Sequence, residues 1–331
     1  MNALTTATAI SASAALQVPE DAAIVCARTL AEHSKSFALA GRLLPEQQRR
    51  DAAVLYTYCR LADDSIDLAP PAAQPAALAE LERALDSVYR GEAQHDVRLR
   101  AFQELVQRRS VPREYPEQLL AGMRMDVMGT EYETLNDLLL YCYRVAGVVG
   151  SMMCHVLGLS DARALRNAAH LGIGMQLTNI CRDVAEDWQR GRSYLPLSML
   201  RECDAQAWRG LRKGPLPNAA RESLASVTRQ LLNEAERFYR SGDAGMPALP
   251  LRAAFSVHAA RLIYAAIGGR ILRTDYDAYS MRAIVPASQK VRLLIKAALL
   301  TAWGLPRRFF GSGKQAPLDC VLRFPDDILP L

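Results

Sequence analysis

Apolar residues recur at helical spacing along almost the whole of this chain, and that single pattern restricts it to packed α-helices. Ala, Leu, Arg, Glu and Gln are abundant, β-branched runs are short, and no Asn-Gly or Asp-Gly turn joins alternating segments. Glycine and proline punctuate the pattern. The intervals between them predict helices over 20–33, 36–43, 46–68, 72–91, 96–109, 113–128, 131–158, 161–190, 196–203, 218–240, 248–273 and 287–304. No internal repeat is visible and no interval reads as a linker. The expectation is an all-α, single-domain fold over residues 21–304, with a disordered leader over 1–20 and a basic tail over 305–331. A chain of 331 residues, 50% of them apolar, can bury a large core without covalent staples.

The seven cysteines are odd in number, scattered and free of CxxC pairs, which argues against structural zinc and for a reduced, cytoplasmic setting. Net charge is +5, and eight Lys/Arg against three Asp from Arg282 onward account for all of that excess. Elsewhere acids and bases are mixed and no helix-turn-helix or RNA-binding signature occurs, so nucleic acid is not an expected partner. The N-terminal MNALTTATAISASAALQ lacks the basic segment of a secretory signal and the arginine of a transit peptide. The longest apolar stretch, Leu138 to Leu159, approaches the length of a membrane span. It contains Arg144, His155 and three glycines, however, and reads as a buried core helix.

Two segments carry the chemistry. In the first, Tyr56, Arg60, Asp63 and Asp67 fall within about 60° of arc on one helix, opposite Val54, Leu55, Leu61 and Ile66. In the second, Gln176, Asn179, Asp183 and Asp187 share about 80° of arc, just after an apolar, glycine-containing stretch (Leu171 to Met175). Two carboxylates at i and i+4 repel each other, and burying them requires a cation. Carboxylate and amide oxygens on two such stripes suit hard divalent ions such as Mg²⁺. Arg60 and Arg182, beside the carboxylates, could grip phosphate oxygens in a bidentate way. A lone DxxxD is ordinarily a solvated face, so spacing leaves two readings open: a metal–diphosphate site, or the salt-bridged faces of a non-catalytic helical scaffold.

These segments resemble the paired aspartate-rich motifs of the squalene/phytoene synthase family, the head-to-head prenyl transferases. The likeness extends to His33-Ser34-Lys35-Ser36-Phe37, to Gly122-Met123-Arg124-Met125-Asp126, to the stretch from Tyr141 to Gly150, and to the Arg-Gly-Arg-Ser-Tyr-Leu-Pro run that ends at Pro196. It covers residues from about 22 to about 300 and leaves the leader and the last thirty residues without a readable signature. It implies an isoprenoid synthase fold with helices around a central apolar cavity. Two allylic diphosphates would condense to a cyclopropylcarbinyl diphosphate, which would ionise and rearrange to a 1′–1 linked hydrocarbon.

The same resemblance assigns roles. Asp63, Asp67, Asn179, Asp183 and Asp187 would hold two or three Mg²⁺ ions, with Mn²⁺ as a substitute. Ser34, Ser36, Arg60, Gln176, Arg182, Tyr264 and Arg282 would contact diphosphate, although Ser34 and Ser36 also suit helix capping and Tyr264 also suits an amphipathic core position. Tyr56 and Tyr141 would line the site and orient the cation or leaving group, whereas Asp64 and Glu186 lie about 80° off the stripe centres and support them from the side.

The motifs look closest to bacterial members that join two geranylgeranyl diphosphates to phytoene. A C15-specific dehydrosqualene or squalene synthase is the alternative, and no nicotinamide cofactor is expected. DDSID also contains the DDxxD of terpene cyclases and head-to-tail prenyl transferases, but the Tyr-Cys-Arg lead-in and the second motif point away from them. The segment Ser288 to Gly304, with Lys290, Arg292 and Lys296, is amphipathic, and together with Arg307-Arg308 it is expected either to dock on an anionic membrane or to form a last core helix.

Overall fold

A computed structural model describes residues 20–200, 218–275, 282–305, 322 and 324–329. Among these residues the secondary structure is helical and no strand occurs. The helices are α1 (Glu20–His33), α2 (Lys35–Gly41), α3 (Glu46–Asp67), α4 (Gln74–Arg90), α5 (Val97–Arg109), α6 (Glu114–Val127), α7 (Leu135–Cys142), α8 (Val148–Leu157) and α9 (Leu165–Gln189). They continue as α10 (Asn218–Gly245), α11 (Leu251–Leu272) and α12 (Ala287–Trp303). Local chemistry sets the boundaries. The Asp96 side chain caps α5, Thr134 and Asp137 form a reciprocal capping box on α7, and Gly91 and Gly158 end α4 and α8 at positive φ.

Helix α9 is the axis of the bundle: α8, α10 and α11 all pack on it. Close approach is possible because glycines face backbone. A Cβ on Gly150 would stand 2.3 Å from the Ala168 carbonyl oxygen, and one on Gly172 would stand 2.2 Å from that of Ala146. The run Leu135–Leu157 is long and apolar enough to cross a membrane, yet it lies in this core, where Leu138, Cys142, Val148, Met152 and Val156 are inaccessible. A π-helical turn, Tyr143–Gly147, divides α7 from α8 inside it.

The expected helices are present with small shifts, and three differences are structural. The interval 196–203 forms only a 3₁₀ turn, Leu197–Met199, and its last residues lie outside the described ones. Helix α10 continues through Gly242 to Gly245, packed against Leu171 so closely that a Cβ on Gly242 would stand 3.0 Å from it. The third difference is in the tail. Most of it, like the leader, lies outside the described residues, but Ile328 is fully buried and its carbonyl lies 2.9 Å from His170 Nε2. Tyr143 donates to the Leu322 carbonyl at 2.6 Å and stacks on Phe324. This part of the expected tail therefore packs on the core through Ile328, with Pro325, Asp326 and Asp327 exposed. Ionic pins complete the frame: Asp51, inaccessible to solvent, accepts from Arg108 and Arg109 at 2.7 and 2.6 Å.

Candidate active site

A cavity of about 380 Å³ runs through the bundle, walled by α2, α3, α8, α9, α10 and α11. Its α9 wall extends from Asn179 to Asn167, with Ala164 just before the helix, and α3 contributes Arg49, Ala52, Leu55, Tyr56, Cys59 and Asp63. Fifteen residues of helical rise give a length of about 22 Å. The lining is mostly apolar; Tyr56, Asp63, Gln176 and Asn179 line it on α3 and α9 toward the aspartate motifs, while Arg49, Asn167 and Ser256 add polar groups elsewhere along it.

Both stripes contribute to the end near these motifs, the mouth of the cavity. Asp67 ends α3 and receives Arg192 at 2.8 Å and Arg190 at 3.4 Å, both from the chain that leaves α9. That pairing ties the first motif to the trailing part of the second. Asp126, in the last turn of α6, lies between them. It accepts from Tyr141 at 3.0 Å and Tyr194 at 2.8 Å, whose rings stack at 4.9 Å.

Electrostatics at the mouth are those of crowded acids short of cations. Burial, then repulsion from Asp67, pushes Asp63 up to about 7. Asp63 retains accessible surface, but it lies on the cavity wall, where most of the surrounding volume is protein. Burial, then repulsion from Asp183, likewise pushes Asp187 up to about 7. Asp126 is also raised by burial, an effect opposed by its Tyr194 hydrogen bond and by Arg192. Asn179 donates to Gln176 at 3.3 Å, while its own side-chain carbonyl oxygen is buried without a partner. An orphaned carbonyl beside carboxylates that resist ionisation fits a site for hard divalent cations. Among the described residues no three acidic, histidine or cysteine side chains already form a closed metal site, so any ion held here needs water or substrate oxygens as well.

The candidate residues separate into groups. Tyr56, Asp63, Gln176, Asn179 and Tyr264 line the cavity. Asp67, Asp183 and Asp187 lie on the same helices but do not line the cavity; Asp67 is in electrostatic reach of Asp63 and pairs with Arg192, and Asp187 is in reach of Asp183, which pairs with Arg182. Arg182 forms a two-point contact with Asp183, and Arg282 reaches Asp183 at 3.1 Å and Glu186 at 2.8 Å. Arg60 is engaged by Asp64, at 3.0 Å through Nε. These arginines now neutralise carboxylates that they would share with a diphosphate. Asp64 and Glu186 are the partners of Arg60 and Arg282.

Three expectations change. Tyr141 does not line the cavity; it is buried and spends its hydroxyl on Asp126. Ser34 caps α2 by accepting from the Phe37 amide at 3.3 Å, and neither Ser34 nor Ser36 lines the cavity. Residues that no role had been assigned to matter instead. Phe37 stacks on Tyr264 at 5.2 Å and meets Tyr56 edge-on at 6.3 Å, so three aromatic rings face the cavity near its mouth. Asp126, Arg192 and Tyr194 were visible only as members of motifs, because nothing in linear spacing shows that α6 and the segment after α9 converge.

A helical bundle around a mostly apolar cavity, with Asp63 on its wall and the other motif carboxylates on the same two helices, has the architecture of an isoprenoid synthase. Solved structures share this architecture: a dehydrosqualene synthase with bound ligand superposes with a TM-score of 0.76 at 29% identity over 86% of this chain and 97% of that one. A squalene synthase from Alicyclobacillus acidocaldarius gives 0.68 at 25% identity over 78% and 95%. The chain belongs to the squalene/phytoene synthase family, whose sequence profile matches residues 30–294. Among similar proteins, the 15-cis-phytoene synthase of Enterobacter agglomerans is 39% identical over 80% of this chain and 91% of its own length. That of Pantoea ananas is 38% identical over 82% and 89%.

Proposed function

We propose that this protein joins two geranylgeranyl diphosphates head to head, by way of a cyclopropylcarbinyl diphosphate, to give phytoene for carotenoid biosynthesis. The observation that carries the reading is a mostly apolar cavity lined at one end by Asp63, Gln176 and Asn179, with arginine-paired carboxylates of the same two helices beside that end. High identity to bacterial phytoene synthases over most of the chain favours C20 donors over C15 donors. No nicotinamide is required for this product.

Chemically, the demanding event is loss of diphosphate to leave an allylic cation. Asp63, Asp67, Asn179, Asp183 and Asp187 would hold Mg²⁺, or Mn²⁺ in its place, as two or three ions that offset charge on the departing diphosphate. Arg60, Arg182 and Arg282 would turn from their carboxylate partners toward diphosphate oxygens, with Gln176 beside them. Phe37, Tyr56 and Tyr264 offer π faces to the cation, and burial pushes the Tyr56 hydroxyl up to about 12, so it stays a neutral dipole. The apolar bore excludes water that would quench the cation. The hydrocarbon product is insoluble in water, which supports peripheral contact with a membrane.

Incubation of the protein with Mg²⁺ and either C15 or C20 diphosphate, without NADPH, should yield a C40 hydrocarbon from the C20 donor. Exclusive turnover of the C15 donor would replace this reading with the dehydrosqualene reaction. Asp63→Ala and Asp187→Ala should each abolish turnover with the helical circular dichroism intact, and activity in either would remove the metal assignment.

A further inference from the structure

Among the described residues, helix α12 has an inner face with a clear partner and an outer face with none that accounts for it. Inward, Ala297 is fully buried against Ala40 of α2 and Ala259, Ala260 and Leu262 of α11. Those two helices are also a wall of the cavity, through Phe37, Ala40, Gly41, Ala260 and Tyr264. Helix α12 thus backs the wall that the substrate chains would touch.

Outward, Val291, Ile295, Leu299 and Trp303 are 56%, 59%, 67% and 86% exposed. Their spacing of four turns the row by about 40° per step, so it curls gently along the outer half of the helix. Arg292 and Lys296, both exposed, lie on the same half beside the row, and α12 contains no acidic residue. A row of large apolar side chains ending in tryptophan, flanked by Arg292 and by Lys296 (which lies within electrostatic reach of Asp243 on α10), is complementary to the boundary between acyl chains and anionic headgroups. Arg307 and Arg308, expected to join this surface, lie outside the described residues.

We propose that the outer face of α12 seats in the interface of an anionic bilayer, with Val291, Ile295, Leu299 and Trp303 at the acyl boundary and Arg292 and Lys296 at the headgroups. Docked in this way, the protein sets the α2–α11 wall of its cavity close to the lipid, where long-chain donors and a hydrocarbon product would partition. That benefit rests on the proposed reaction; the docking itself does not.

Trp303 is a built-in reporter. Full-length protein is mixed with vesicles of phosphatidylcholine alone or with added phosphatidylglycerol, and the fluorescence of the Trp303→Phe variant is subtracted from that of the wild type. The expected result is a blue shift of the difference spectrum and flotation with the anionic vesicles, both weakened by salt. Ile295→Ser with Leu299→Ser should reduce binding by about tenfold or more to either vesicle. Arg292→Gln with Lys296→Gln should reduce it only where phosphatidylglycerol is present. Both variants should keep wild-type turnover of detergent-dispersed donor.

Failure to float with anionic vesicles would overturn the proposal. So would a difference spectrum already blue without lipid at every concentration, which would mean cover from within the chain. A blue shift that tracks protein concentration, together with a doubled mass, would instead assign the face to a second copy. Because binding is read without substrate, these results stand apart from any failure of the proposed reaction.

Discussion

Asp126 shows how a single side chain can organise a site it does not line. It anchors two stacked tyrosines from different parts of the chain and lies within electrostatic reach of Asp63, Asp67 and Asp187. Asp126→Asn leaves only one acceptor for two hydroxyls and should lower turnover by about 10- to 100-fold, chiefly in kcat, with the circular dichroism unchanged. Wild-type kcat in that variant would show the cluster to be mere packing. The two elevated carboxyls predict an inverted pH response. Asp63 and Asp187 hold protons more tightly folded than unfolded, so between 3.8 and about 7 the folded state carries the extra protons and stability falls as pH rises. The melting temperature without metal should be lower at pH 8 than at pH 5.5, and Asp63→Asn with Asp187→Asn should flatten that slope. Mg²⁺ with inorganic diphosphate should restore stability mainly at the alkaline end.

At the scale of elements, α9 places the second motif only because its neighbours reach its backbone. Gly172→Ala puts a methyl into the Ala146 carbonyl and should cost about 1–3 kcal/mol in urea unfolding. Gly129→Ala sits at positive φ with open space around it, so its cost is backbone strain alone, about 1–2 kcal/mol. Equal, negligible losses at both sites would mean that the helix contacts are not tight. Helix periods, caps and breakers made nearly every helix legible, since those signals are local. The π turn at Tyr143–Gly147 and the extension of α10 past Gly242 were not legible, because each answers to a neighbouring helix.

For the whole molecule, the length of the bore is the quantity expected to select the donor in the proposed reaction. Ala164 lines it at the end remote from the carboxylates, and Ala164→Phe should shorten it. The ratio of C20 to C15 turnover is expected to fall by about tenfold or more, and an unchanged ratio would place the selecting wall elsewhere. From its sequence alone this chain determined that it would be helical, which stripes carry acids, and to which family it belongs, since helical period and motif chemistry depend on residues close together in the chain. Only the tertiary structure decided that Arg192 ties the motifs through Asp67, that Tyr141 serves Asp126, that Ile328 closes the core and that α12 keeps an apolar face outward. The first three are relations between residues 15 to 158 positions apart, and a linear pattern carries no information about which distant side chains share a neighbourhood until the bundle has packed.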